Sequence, residues 1–147
     1  MIYEVRRDPF LISTDKSKID AALVHRFFSE SSYWAKNIPL DVVLTSIKQS
    51  VCFGIYDGEQ QVGFARVTTD KATFGYVGDV FVVEAYRGRG LSKWLMQCIL
   101  AHPELQGFRR WMLATADAHG LYAQSGFKPL AKPERWMELH NPDVYNR

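Results

Sequence analysis

Residues 79–92, DVFVVEAYRGRGLS, constrain this chain more than any other stretch. The apolar run Val80-Phe81-Val82-Val83 reads as a buried strand. It passes through Tyr86-Arg87-Gly88-Arg89-Gly90 directly into residues with helical spacing. A strand, a basic glycine-bearing loop and a helix start, in that order, make a receptor for phosphate. The first N–H groups of a helix lack internal partners, and its dipole favours an anion there. Glycine lets the backbone approach the ligand closely, and the two arginines add attraction.

The loop is not a mononucleotide P-loop, because no G-x-x-x-x-G-K-S/T run occurs. It is not a dinucleotide fingerprint either: Lys93 stands where the third glycine belongs, and several strands precede the loop. Arg87-Gly88-Arg89-Gly90-Leu91-Ser92 resembles the pyrophosphate loop of the GNAT superfamily of acyl-CoA-dependent N-acyltransferases. That pattern is Gln or Arg, two residues, Gly, one residue, then Gly or Ala; Ser92 departs from it as a small residue. Leu121-Tyr122-Ala123-Gln124-Ser125-Gly126-Phe127 resembles the family's LYxxxGF segment. Gly120 follows Gly90 by thirty positions, room for one helix, one strand and a turn. The resemblance is clear from residue 51 to 127.

At 147 residues the chain suits one domain, 1–147, with its own core. Apolar residues at 47% and charged residues at 23% describe a soluble globular protein. A net charge of +2 argues against a general nucleic-acid binder. No run approaches a membrane span, and no apolar leader opens the chain. Cys52 and Cys98 stand in apolar patterns, as small buried hydrophobes in a reducing cytoplasmic setting rather than as a metal cluster or a disulfide.

Periodicity predicts a strand at residues 2–6 that resumes at 10–13. It predicts helices at 17–30, with Ser17 as N-cap, and at 41–50, with Val43, Leu44 and Ile47 inward. Strands at 51–56 and 61–69 flank the Asp57-Gly58 hairpin signal. Residues 74–83 read as a central strand covered on both faces. Leu91, Trp94, Leu95, Cys98 and Ile99 form the stripe of a third helix ending before Pro103. A strand at 110–114, a short helix at 118–125 capped by Asp117, and strands at 127–130 and 136–139 complete the order. The resemblance implies the α/β (α+β) GNAT fold: a mixed, mostly antiparallel sheet with helices on both faces.

The resemblance also implies the chemistry. Acetyl-CoA is the co-substrate, with no metal. Its diphosphate sits on residues 87–92, and its pantetheine arm pairs with the backbone of Phe81, Val82 and Val83. The Val82 N–H polarises the thioester carbonyl, as donors aimed at a developing oxyanion do. Tyr122 protonates the leaving sulfur; a phenol is neutral at pH 7 and can donate. Asp79, a carboxylate in an otherwise apolar strand, is the first choice of base, ahead of Glu84. His119, on a face next to Tyr122, is a second choice for moving protons. Tyr33, Trp34, Phe74 and Trp136 are nominated for the acceptor pocket, where aromatic walls and a carboxylate suit a cationic amine.

The activity expected is transfer of acetyl to a primary amine of a small molecule, by a cytoplasmic enzyme, with a homodimer expected from family habit. Acetylation of protein lysines or N-termini stays open as the alternative. A non-catalytic acyl-CoA sensor or partner-binding module stays open as another class.

Overall fold

The computed structural model describes residues 1–146. Six strands form one sheet in chain order: β1 (Glu4–Arg7), β2 (Phe10–Ser13), β3 (Val51–Asp57), β4 (Gln60–Thr69), β5 (Phe74–Val82) and β6 (Arg110–Leu113). Neighbours are antiparallel except β5 and β6, which run parallel. That single parallel pair follows from the crossover through helix α3 (Leu91–Ala101). Helices α1 (Ala21–Arg26) and α2 (Leu40–Gln49) cover one face. Their Val24, Val43 and Ile47, with Phe28 just beyond α1, pack on Cys52, Phe64 and Phe81. Helix α3 covers the other face, its five predicted stripe residues all buried with Phe53, Ile55 and Val67. Helix α4 (His119–Ala123) adds Tyr122 to that layer. This is the mixed sheet with helices on both faces that the resemblance implies.

Several local expectations are corrected. Residues 10–13 do not resume the first strand but turn back on it, Arg7 opposite Phe10, with the break at Asp8-Pro9. Proline has no N–H for a ladder and a fixed φ, so the chain turns there. The long first helix is shorter than its pattern: α1 is flanked by a 3-10 turn at Lys16–Lys18 and a π turn at Phe27–Ser31. Asp20 caps α1, accepting from the Leu23 N–H at 3.1 Å, whereas the Ser17 hydroxyl donates to Asp15 Oδ1. Leu44 is half-exposed, off the α2 stripe. Asp117 does not cap α4; the Thr115 hydroxyl accepts from the Ala118 N–H instead. Residues 127–130 and 136–139 are not strands. Among the described residues, β6 is therefore one edge of the sheet and β1 the other.

Strand β5 departs most from its pattern. Tyr76 is exposed, and residues 78–80 are only half-covered. The cause is its neighbour: β6 pairs with β5 from Phe74/Arg110 to Val77/Leu113 and then stops. Beyond that point the two strands part.

Candidate active site

The parting of β5 and β6 leaves a cavity of about 500 Å³ between residues 77–80 and 114–118. A β-bulge shapes its inner wall. The β4–β5 register shifts between Phe64 and Arg66, and Asp79 takes a left-handed φ of 56°. Aspartate tolerates that region better than most residues do. The turn aims its carboxylate into the cavity wall, where Oδ2 accepts from Arg66 Nε at 2.7 Å. Oδ1 accepts from the Trp34 indole N–H at 2.8 Å. Arg66 Nη1 in turn donates to Ser50 Oγ and Thr68 Oγ1. Asp79 is thus fixed by a cation and a donor, with both oxygens engaged.

The α1–α2 connection roofs the cavity. Tyr33 and Trp34 meet edge to face at 5.1 Å, and the Tyr33 hydroxyl accepts from the Ala116 N–H at 3.1 Å. Tyr122 closes the floor at 8% exposure. Burial raises its hydroxyl above the usual pKa, and the neighbouring Tyr33 and Asp117 push the same way. The same ring lines a second cavity of about 370 Å³ with Leu113, His119 and Phe127, so Tyr122 stands at the junction of the two.

The strand backbone beside this junction is oriented by alternation. The Val83 N–H donates to the Val62 carbonyl of β4 at 2.9 Å. Val82 therefore presents its amide and carbonyl on the opposite side, and that carbonyl accepts from Arg87 Nε at 2.9 Å. Phe81 is in register with Phe64 of β4 and is covered by the stacked ring of Phe27 at 4.1 Å. Of the three residues nominated for the pantetheine arm, Val82 is the one whose N–H faces the gap.

At the end of β5 the chain makes a 3-10 turn at Glu84–Tyr86 and enters the glycine loop. Gly88 and Gly90 have φ of 77° and 76°, and an added Cβ would meet nothing within 4 Å at either. Their need is conformational: the left-handed backbone, in open space. The first α3 bond runs from the Trp94 N–H to the Gly90 carbonyl. The N–H groups of Leu91, Ser92 and Lys93 are left facing outward. The Tyr86 ring carries the Arg89 guanidinium at 4.8 Å.

Of the nominated acceptor residues, the structure brings Tyr33, Trp34 and Asp79 together with Tyr122. Phe74 lies at the paired end of β5, away from the cavity. Trp136 lies under the Arg110 guanidinium, 4.9 Å from it, and does not line the cavity. His119 opens α4 and reaches only the second cavity. Arg66 and Tyr76, which sequence reasoning passed over, line the first cavity. Tyr76 carried a signal, since it shares a strand face with Phe74 one step nearer the gap. Arg66 carried none, because a lone arginine in an alternating strand reads as solvent-facing. Among the described residues, no group of three or more His, Cys, Asp or Glu is placed to hold a metal ion. No helix is long and apolar enough to cross a membrane.

A mixed sheet that opens beside a glycine-bearing helix start and a buried tyrosine has the architecture of an acyltransferase. The family model described as the acetyltransferase (GNAT) domain matches residues 48–129, loop and tyrosine included. The chain belongs to the GNAT family of acetyltransferases. A GNAT-family protein of Xanthomonas campestris pv. campestris is 51% identical, with 94% of this chain and 97% of that one covered at a TM-score of 0.92. A Gibberella zeae protein assigned as an acetyltransferase is 32% identical over 144 residues, covering 84% of this chain and 77% of its own length. A Clostridium acetobutylicum protein crystallised with acetyl-CoA shares the fold at 14% identity, with 95% and 96% coverage and a TM-score of 0.56.

Proposed function

We propose that the 147 residues work as one cytoplasmic catalytic domain that moves acetyl from acetyl-CoA to a primary amine of a small molecule. The observation that carries this reading is Tyr122, buried where the two cavities meet beside the parted strands. The buried free thiols Cys52 and Cys98 suit a reducing compartment.

Residues 87–92 receive the diphosphate: the outward N–H groups of α3 and the two arginines supply the attraction. The Val82 N–H, turned into the gap, donates to the thioester carbonyl oxygen as it becomes an oxyanion. The neutral amine attacks the carbonyl carbon directly. The C–S bond then breaks, its electron pair stays on sulfur, and Tyr122 supplies the proton that makes the free thiol. His119, one helical turn from Tyr122, returns a proton to the phenol. The proton lost by nitrogen leaves through water.

Asp79 acts on the acceptor. Both its oxygens already accept from Arg66 and Trp34, so it is held to orient the acceptor, which arrives as an ammonium between Tyr33, Trp34 and Tyr76 and gives one proton to water before it attacks. The base role first assigned to it gives way to this one.

The test is thiol release from acetyl-CoA across polyamines, amino acids, amino sugars, aryl amines and lysine peptides, with Tyr122→Phe as control. Release with one small-amine class, lost in the variant, is the expected result. Release with peptides alone would move the acceptor to protein. No release, in a protein that acetyl-CoA still stabilises, would make the domain a sensor.

A further inference from the structure

A cavity of about 370 Å³ opens at the end of the sheet away from the glycine loop, where β3 begins and β4 ends. Nothing in the acetyl-transfer chemistry uses it. Its wall includes two polar side chains that are almost wholly buried, Ser50 at 7% and His102 at 2% exposure. His102 Nδ1 accepts from the Glu104 N–H, which leaves the ring proton on Nε2. That N–H has no acceptor among the described residues. Nor is it sealed in, since the Tyr56 hydroxyl is the one fully buried side-chain polar atom without a partner among them. It opens onto the cavity. Ser50 Oγ accepts from Arg66 Nη1 at 3.0 Å, and its own proton has no acceptor among the described residues.

Buried donors without acceptors ask for a ligand that brings oxygen. The charges around them agree. Lys16, Lys48 and Lys71 line the cavity against one carboxylate, Glu104, which Lys71 approaches at 3.9 Å. The carbonyl end of α2 would repel an anion, but Lys16 Nζ covers it, donating to the Lys48 carbonyl at 2.9 Å. Lys48 Nζ is free of ion pairs among the described residues. A compact oxyanion of the phosphate type satisfies an ammonium, an imidazole N–H and a hydroxyl at once.

Ser50 also stands between this cavity and the acceptor site. Arg66 Nη1 donates to Ser50 Oγ, Arg66 Nε holds Asp79, and Asp79 holds the Trp34 indole N–H. A hydroxyl that donates to an anion becomes a better acceptor, so a bound anion draws on the guanidinium through Ser50. We propose that this cavity is an effector site: it takes a small phosphate-type oxyanion on Lys48, His102 and Ser50, and its occupancy reaches Asp79 and Trp34 through Arg66. What the acceptor then feels rests on the reading of Asp79 above; the binding and the relay do not.

The experiment follows the backbone amide and Trp34 indole N–H resonances of the full chain during a titration with inorganic phosphate at constant ionic strength. Saturable shifts at residues 49–52 and 102 are expected, with a Kd of about 1 mM or tighter, and the Trp34 indole should move along the same curve. Lys48→Gln changes an exposed side chain and should raise the Kd about threefold or more. Arg89→Glu, in the glycine loop, should leave these shifts unchanged. Ser50→Ala should keep a response at His102 and lose the one at Trp34. No saturation by about 20 mM phosphate, or a response that Arg89→Glu abolishes and Lys48→Gln spares, overturns the site. A Trp34 signal that ignores phosphate in the wild type, or still follows it in Ser50→Ala, overturns the relay.

Discussion

The Tyr86 hydroxyl donates to Asp57 Oδ2 at 2.7 Å, tying the glycine loop to the end of β3 where its hairpin turns. The same ring carries Arg89, so a hairpin carboxylate sets the position of a loop cation through one aromatic side chain. Tyr86→Phe keeps the ring and loses the anchor. We expect KM for acetyl-CoA to rise about three- to tenfold with kcat nearly unchanged, the signature of lost uniform binding. Steady-state kinetics at fixed acceptor measures it; a fall in kcat alone would place Tyr86 in the chemistry instead.

Tyr122→Phe removes the proposed acid and little volume. The turnover number should drop about 10²-fold or more, while acetyl-CoA binding by calorimetry changes little. Burial raises the phenol above its ordinary 10.0, and an acid works while protonated. Its loss of activity therefore belongs above pH 10, not in the neutral range. An alkaline limb of kcat centred well below that value, and abolished by Tyr122→Phe, would contradict the assignment.

Asp79→Asn keeps a residue that tolerates φ of 56° but ends the ion pair with Arg66, which is three-quarters buried. Leaving Arg66 without its carboxylate should lower stability by about 1–3 kcal/mol, read as a lower thermal midpoint. The acceptor KM should rise about tenfold or more, and the acetyl-CoA KM should not. Equal loss in both would make Asp79 a purely structural residue.

His102 is 2% exposed between Tyr3 and Phe53, and its Nδ1 accepts from the Glu104 N–H at 3.0 Å. Burial lowers its pKa below 6.5. The sign follows: as pH falls below 6.5 the unfolded chain takes up a proton that the folded chain resists, so stability present above 6.5 is lost on acidification. Urea titrations at pH 7.5 and about 5.5 should show this loss, and His102→Gln should flatten it. An unchanged pH dependence in the variant would exonerate His102.

The glycine loop and the third helix were legible because their signals are local. A glycine that must take positive φ before a helix, as at 88 and 90, announces itself by residue type. The α3 stripe is one periodic run, and all five of its residues are buried. Helix α1 was overread because apolar spacing continues past Arg26 while the backbone loosens into a π turn. Strands at 127–130 and 136–139 were overread because alternation records a preference for pairing and not the presence of a neighbour.

By itself, then, the sequence determined the order of elements from α2 to α4, the left-handed glycines before α3 and the family, since each is written in adjacent residues. Only the tertiary structure decided what those residues face. That β5 and β6 part after Val77 and Leu113 depends on where a parallel pairing ends, a relation between segments more than thirty residues apart. That Asp79 is held by Arg66 and Trp34, thirteen and forty-five positions away, follows from the bulge that turns it. Side-chain identity is local, but an ion pair, a cavity and an uncovered strand edge are properties of distance, and only the packed chain sets distances.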